Sequence, residues 1–211
     1  MFLGAALIVG ALLLFNYNQR EAALAEQAGM DLLPQLVKTI EDNKGKETVA
    51  TEVINDGSEA TEIYEQMLDT PIEFLDPSDL KMKEVIINGY AYIGYLSIPE
   101  LELELPVMAD WDYKRLRRAP CRYMGSVRGE DLVIMAHNYA THFGNLSKLA
   151  EGDRVLFTDM DGNVTVYEVV AHDILDPQAV EEMTSGDFDL TLFTCTYGGA
   201  NRVTVYCQQV S

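Results

Sequence analysis

The sequence predicts a mainly β domain preceded by an N-terminal membrane helix and a helical, acidic stalk. Three observations predict it: an uncharged apolar run at the start, an acidic and weakly apolar stretch after Glu41, and, beyond Lys83, short runs rich in Val, Ile, Tyr and Thr separated by Gly, Asp and Asn. A chain of 211 residues has room for one core of ordinary domain size plus an appendage. We therefore read three segments: a signal-anchor over 1–18, a stalk over 19–83 and a single β domain over 84–211.

The first segment, Phe2 to Phe15, carries no charge. As a helix it reaches only about 21 Å, and counting on through Asn16, Tyr17 and Asn18 brings it close to the roughly 17 to 25 residues of a spanning helix. Ala23-Leu24-Ala25 has the A-x-A form of a processing site, so a cleaved signal peptide is the alternative. Its distance from the apolar run favours the anchor. A buried soluble helix is the third reading; either membrane reading exports the rest of the chain. In an oxidising compartment an odd number of cysteines leaves at least one thiol free or paired between chains, and this chain has three.

Ala23, Leu24, Leu32, Leu33, Leu36 and Val37 recur at helical spacing, which predicts a helix over 19–40 that Pro34 interrupts. Beyond it, Asn43-Lys44-Gly45, Asn55-Asp56-Gly57 and Asp76-Pro77-Ser78 are turn signals, with one short helix expected around Glu59 to Leu68.

In the β domain the expected strands are Ala91 to Ile98, Leu101 to Val107, Leu132 to His137, Arg154 to Thr158, Val164 to His172, Phe188 to Cys195 and Arg202 to Gln208. Asp112 to Arg117 and Thr141 to Ala150 read as short helices. Asp159 to Asn163 has the look of part of a calcium loop, but Asp-Gly between two strand runs supplies the positive φ angles of a tight hairpin, and the distal calcium ligands are missing.

A net charge of -19 sets the chain as a whole against DNA, RNA and anionic lipid surfaces. No glycine-rich phosphate loop, Cys-x-x-Cys pair or His-Glu-x-x-His helix is present. No cofactor or metal is expected.

The chemistry-bearing candidates are His137, Cys195 and Arg202, each at a strand end, where a ladder holds the backbone and the side chain meets solvent. A thiol and an imidazole together permit acyl transfer, and an arginine stabilises negative charge developing on a carbonyl oxygen. Spacing alone leaves the bland alternatives open: a buried thiol, a satisfied histidine, a solvated arginine.

The local words go further. Thr191-Leu192-Phe193-Thr194-Cys195, with Arg202 seven residues on, resembles the T-L-x-T-C and downstream Arg signature of the sortases, the cysteine transpeptidases of Gram-positive cell walls. His137, 58 positions upstream of Cys195, lies in a segment similar to the one that carries the sortase histidine. The resemblance covers roughly residues 90 to 210. It implies a closed barrel of about eight strands, and a thioacyl enzyme formed when Cys195 attacks the Thr carbonyl of an LPxTG-like sorting signal. An amine of a peptidoglycan precursor or a pilin then takes the acyl group, with His137 as general acid/base and Arg202 on substrate and oxyanion. Surface proteins bearing the sorting signal, the amine acceptor and, through the N-terminal helix, the membrane are the partners so implied, with the catalytic domain outside a single-pass anchor.

The resemblance also implies that Thr194 lines the substrate groove and that the segment Asp173 to Asp187 reads the signal. Val180 and Met183 can form an apolar floor there, or simply pack the loop onto the barrel. Glu181 and Glu182 are too few for an oxygen cage around calcium. That segment is short for the long helix of class B, no apolar or basic tail follows the last strand, and Ser78 after Asp76-Pro77 makes a class C lid doubtful. The wording around His137 and Cys195 looks closer to class B or D than to class A, and the class stays open. Strand alternation puts Cys207 on the face opposite Arg202, hence in the core. Cys121 sits in a basic stretch, Lys114 to Arg128, read as local charge balance, the alternative being a docking site for an anionic wall component; those charges can lower its thiol pKa. Two other functional classes remain: a cysteine endopeptidase in which water takes the acyl group, and a non-enzymatic surface adaptor with a structural Cys195.

Overall fold

The computed structural model describes residues 2–53 and 81–210. The stalk signals at Asn55-Asp56-Gly57 and Asp76-Pro77-Ser78, the helix expected at Glu59 to Leu68 and the doubtful lid all lie outside the described residues.

Nine strands follow one another in the β domain: β1 Val85–Ile87, β2 Tyr90–Ile98, β3 Leu103–Met108, β4 Cys121–Met124, β5 Leu132–Met135, β6 Arg154–Asp159, β7 Val164–Leu175, β8 Leu190–Cys195 and β9 Arg202–Gln209. They form one sheet in the order β1-β2-β3-β4-β5-β8-β9-β7-β6, and β6 pairs back onto β2. This closes eight of them into a barrel, with β1 a short extension on β2. Closure removes the free edges that an open sheet presents. At the closing seam Gly94 has a φ of +148°, and a Cβ there would overlap the Thr158 carbonyl. Only glycine lets β2 and β6 approach so closely.

Alternation along the strands turns apolar side chains inward. Ile93, Leu96, Ile98, Val107, Leu132, Ile134, Val155, Phe157, Leu190, Leu192, Val205 and Cys207 are all fully buried in one core cluster. Burying each large aliphatic side chain contributes about 1.5 to 3 kcal/mol relative to exposure.

All seven expected strands form, with ends shifted by up to three residues. Leu101 belongs to a 3-10 turn, Pro99–Leu101, and β7 runs on to Leu175 because His172 to Leu175 keep pairing with β9. The Asp159–Asn163 hairpin is present: the Asp159 carboxylate accepts the backbone N–H groups of Asp161 and Asn163, and Gly162 has a φ of +83°. Two strands went unread, β1 because it is three residues long and β4 because it lies in the basic stretch.

Helix α2, Tyr113–Leu116, is capped by the Asp112 carboxylate, which accepts from the N–H groups of Lys114 and Arg115. The helix expected over Thr141 to Ala150 shrinks to a 3-10 turn, Leu146–Lys148. Phe143, Leu146 and Leu149 are buried there at a spacing set by the core, and the Tyr139 carbonyl accepts from both His142 and Gly144 in a tight turn that no α-helix continues.

The larger departure is α1, a continuous helix from Phe2 to Val53 that passes through Pro34 and through Asn43-Lys44-Gly45. A proline inside a helix costs about 3 kcal/mol and forfeits a hydrogen bond. Docking offsets it: Ala25, Leu32, Leu36 and Ile40 are buried, the last three against Tyr92, Met108, Leu116, Ala119, Cys121 and Met160. Asn43 donates from Nδ2 to the Met160 carbonyl (3.1 Å), fixing the helix beside the β6–β7 hairpin. From residue 25 to 43 the helix therefore lies along the barrel as part of the domain. Before it, Leu7, Ile8, Val9, Leu12, Leu13, Leu14 and Phe15 are all exposed. Among the described residues no helix is long and apolar enough to cross a membrane.

Candidate active site

Strand β5 pairs parallel with β8, joining Leu132 to Leu190 and Met135 to Phe193, partners 58 positions apart. His137 and Cys195 are separated by the same 58, so the register carried two residues past the ladder sets them level. Two hydrogen bonds show that it is carried. The Ala136 N–H donates to the Phe193 carbonyl (3.2 Å) and the Thr194 hydroxyl donates to the Ala136 carbonyl (2.8 Å). Asn138 adds a third tie, Nδ2 to the Thr196 carbonyl (3.3 Å). On the other side β8 pairs antiparallel with β9, with Cys195 directly opposite Arg202. The three candidates thus stand in one row across three adjacent strands.

That row opens into a cleft of about 600 Å³. Cys195 is exposed, whereas Cys121 and Cys207 are fully buried and their thiols are pushed up to about 12, chiefly by burial. For Cys121 this reverses the lowering expected from its basic neighbours, since desolvation of a thiolate outweighs them. A mild alkylating agent is expected to label the folded protein once, at Cys195; mass mapping that finds Cys121 or Cys207 modified first would contradict this placement.

His137 is half-buried, and burial with the nearby Arg117 charge holds its pKa below the usual range, while Glu21 pulls the other way. Its ring stacks on Tyr139 with centroids 3.8 Å apart. The imidazole is therefore neutral near pH 7 and able to accept a proton. Arg202 spends one nitrogen, Nη1, on the carbonyls of Gly199 (3.3 Å) and Asn201 (3.1 Å). Those contacts orient the guanidinium through one nitrogen.

Thr194, Val180 and Met183 all line the cleft. Thr194 is buried with its hydroxyl committed to β5, so it contributes by locking the strands. Val180 and Met183 lie in α3, Val180–Met183; Met183 is buried with Val133 and Phe193, and Val180 is exposed at the rim. Met183 thus packs the loop onto the barrel while bordering the cleft, and Val180 borders the cleft with its side chain exposed. Glu181 and Glu182 are exposed, and among the described residues no three His, Cys, Asp or Glu side chains gather as a metal site.

Sequence reasoning missed the aromatic side of the cleft. Trp111 stacks on Tyr123 (5.7 Å, 29°), which meets Phe193 edge-on (5.5 Å, 82°). Trp111 is the one tryptophan of the chain, and its place between two aspartates just before α2 was the available signal.

His142 was missed as well. It is buried next to His137, and burial with the His137 charge drops its pKa to about 4. The unfolded chain, with an ordinary value near 6.5, binds this proton first as pH falls. Stability is therefore complete above about pH 6.5 and declines as pH falls toward 4, by about 3 kcal/mol from this residue. Urea denaturation at pH 7 and pH 4.5 measures the decline, and His142→Gln is expected to flatten it; an equal slope in the variant would refute the assignment.

A closed barrel with an exposed thiol and an imidazole at matching register in one cleft is an arrangement that can carry out thiol-dependent acyl transfer. A family model, the sortase domain, matches residues 96–210. Solved structures agree in fold. Sortase C1 of Streptococcus suis is 27% identical, with 57% of this chain and 73% of that one covered and a TM-score of 0.50. Sortase C of Clostridium perfringens SM101 is 20% identical over 93% and 97% of the two chains (TM-score 0.53), and sortase A of Corynebacterium diphtheriae is 21% identical over 93% and 94% (0.53). No curated protein gives a significant match. The chain belongs to the sortase family, the cysteine transpeptidases. Its structural neighbours carry both C and A designations, so they assign no class.

Proposed function

We propose that this sortase cleaves an LPxTG-like sorting signal and transfers the protein to an amine of the cell wall or of a pilin. The observation that supports it most is the row formed by His137, two residues past the end of β5, Cys195 at the end of β8 and Arg202 at the start of β9. Cys195 sulfur attacks the Thr carbonyl carbon while its proton passes to neutral His137. Arg202 steadies the oxygen that becomes negative, and His137 returns the proton to the leaving amine. A thioester to Cys195 remains, and a second amine releases it by the reverse sequence. Val180, Met183 and the aromatic side of the cleft offer apolar contact to the Leu and Pro of the signal.

In this reading residues 1–18 tether the enzyme to the cell membrane with the barrel outside. The exposed apolar side chains from Leu7 to Phe15 support it, since a row of such residues on one helix end is stable only when lipid or another apolar surface covers it.

The test is the full chain in detergent, incubated with an LPxTG-type peptide and triglycine, the products being weighed by mass spectrometry. The expected product is the LPxT-triglycine adduct. Hydrolysis alone would replace transpeptidation by an endopeptidase reading, and an inert peptide would remove both.

A further inference from the structure

A second hollow, of about 260 Å³, adjoins the cleft and shares His137 and Arg117 with it. Its other walls include Tyr17 and Glu21 of α1, together with Tyr139 and Tyr197. The two hollows differ in chemistry. The cleft is walled by Met183, Phe193 and Trp111, whereas this one has a carboxylate and three tyrosine rings. Glu21 is half-buried, and among the described residues its carboxylate accepts no hydrogen bond and joins no ion pair. A carboxylate removed in part from water calls for a cation, and tyrosine faces attract one as well. Among the described residues the one fixed cation lining the hollow is Arg117, which also borders the cleft.

We propose that this hollow is the subsite for the primary amine that takes the acyl group from Cys195, with Glu21 receiving the ammonium beside His137. The inference rests on the transpeptidase reading above. The bound ammonium gives one proton to His137, which is neutral after protonating the first leaving group. The amine nitrogen then attacks the thioester carbonyl carbon. A carbon–nitrogen bond forms, the carbon–sulfur bond breaks, and Cys195 sulfur leaves with the second proton of the ammonium; the third stays on the new amide. The peptide enters from the apolar side of the row and the acceptor from the acidic side, so the two need not compete. Because Tyr17 lies in the last turn of the proposed tether and Glu21 three residues past its end at Asn18, helix α1 carries the acceptor subsite where the tether meets the barrel.

Full-length wild type, Glu21→Gln and Glu21→Lys are compared with a fixed sorting peptide and rising triglycine. Loss of a charged hydrogen-bond partner is expected to raise the triglycine KM about ten- to a hundredfold in Glu21→Gln, with a larger rise in Glu21→Lys. The ratio of adduct to hydrolysis product falls in both, and kcat at saturating triglycine moves less than KM. The subsite is overturned if wild type forms the adduct and both variants keep its KM within about twofold, or if adduct and hydrolysis fall in equal proportion. Failure of wild type to consume peptide overturns the transpeptidase reading itself, and the subsite with it.

Discussion

Cys195→Ala is expected to lower kcat/KM for the sorting peptide by about 10^4-fold or more, to the background of the assay. The reaction has no route around the sulfur: without a thiolate no thioester forms, and neither Arg202 nor His137 supplies a replacement nucleophile. The fold should not suffer. Cys195 is exposed at the end of β8, and its neighbour Thr194 retains the hydroxyl bond to Ala136 that ties β8 to β5. Peptide turnover by chromatography, beside a thermal melt showing an unchanged Tm, separates lost chemistry from lost structure. Retained cleavage in a well-folded variant would refute Cys195 as the nucleophile.

His137→Gln is expected to cost about 10^2- to 10^4-fold in kcat/KM, the range for one general acid/base. Glutamine keeps much of the volume and hydrogen-bonding capacity of the imidazole but neither takes up nor releases a proton at these pH values. The pH profile gives the sharper reading. Burial, then Arg117, hold the His137 pKa below its ordinary 6.5. Wild-type activity should therefore persist on the acid side of pH 6.5 and drop only as pH falls through that lowered value, where the imidazole becomes charged and no longer accepts the thiol proton. The glutamine variant should lack this acid limb. A variant that keeps the limb assigns the titration to another group, with His142 the nearest candidate.

The parts of the fold that were legible are those written locally. The hairpin at Asp159–Asn163 was readable because Asp-Gly chemistry dictates its own turn, and Cys207 was assigned to the core because alternation along β9 admits no other face for it once Arg202 faces outward. Pro34 misled for the complementary reason. Its intrinsic penalty is local, while what overrides it is the burial of Leu32, Leu36 and Ile40 against Tyr92, Met108 and Met160, residues far along the chain. The basic stretch around Cys121 likewise conceals a strand whose partners on β5 are known only after folding.

Within the site, His137, Cys195 and Arg202 were nameable from their words, and Cys195 and Arg202 had to lie close because a short loop joins their strands. The meeting of His137 with Cys195 was of another kind. It depends on β5 pairing parallel with β8 in the one register that buries Leu132, Ile134, Leu190 and Leu192 together, since a slip by one residue would turn every side chain to the wrong face. The sequence by itself thus determined seven of the strand runs, the turn and the three candidate side chains, all products of short-range backbone and side-chain chemistry. The tertiary structure alone decided the row they form, the aromatic wall of Trp111 and Tyr123, and the seat of Glu21 beside His137, because these contacts join segments that only the burial of a common core brings together.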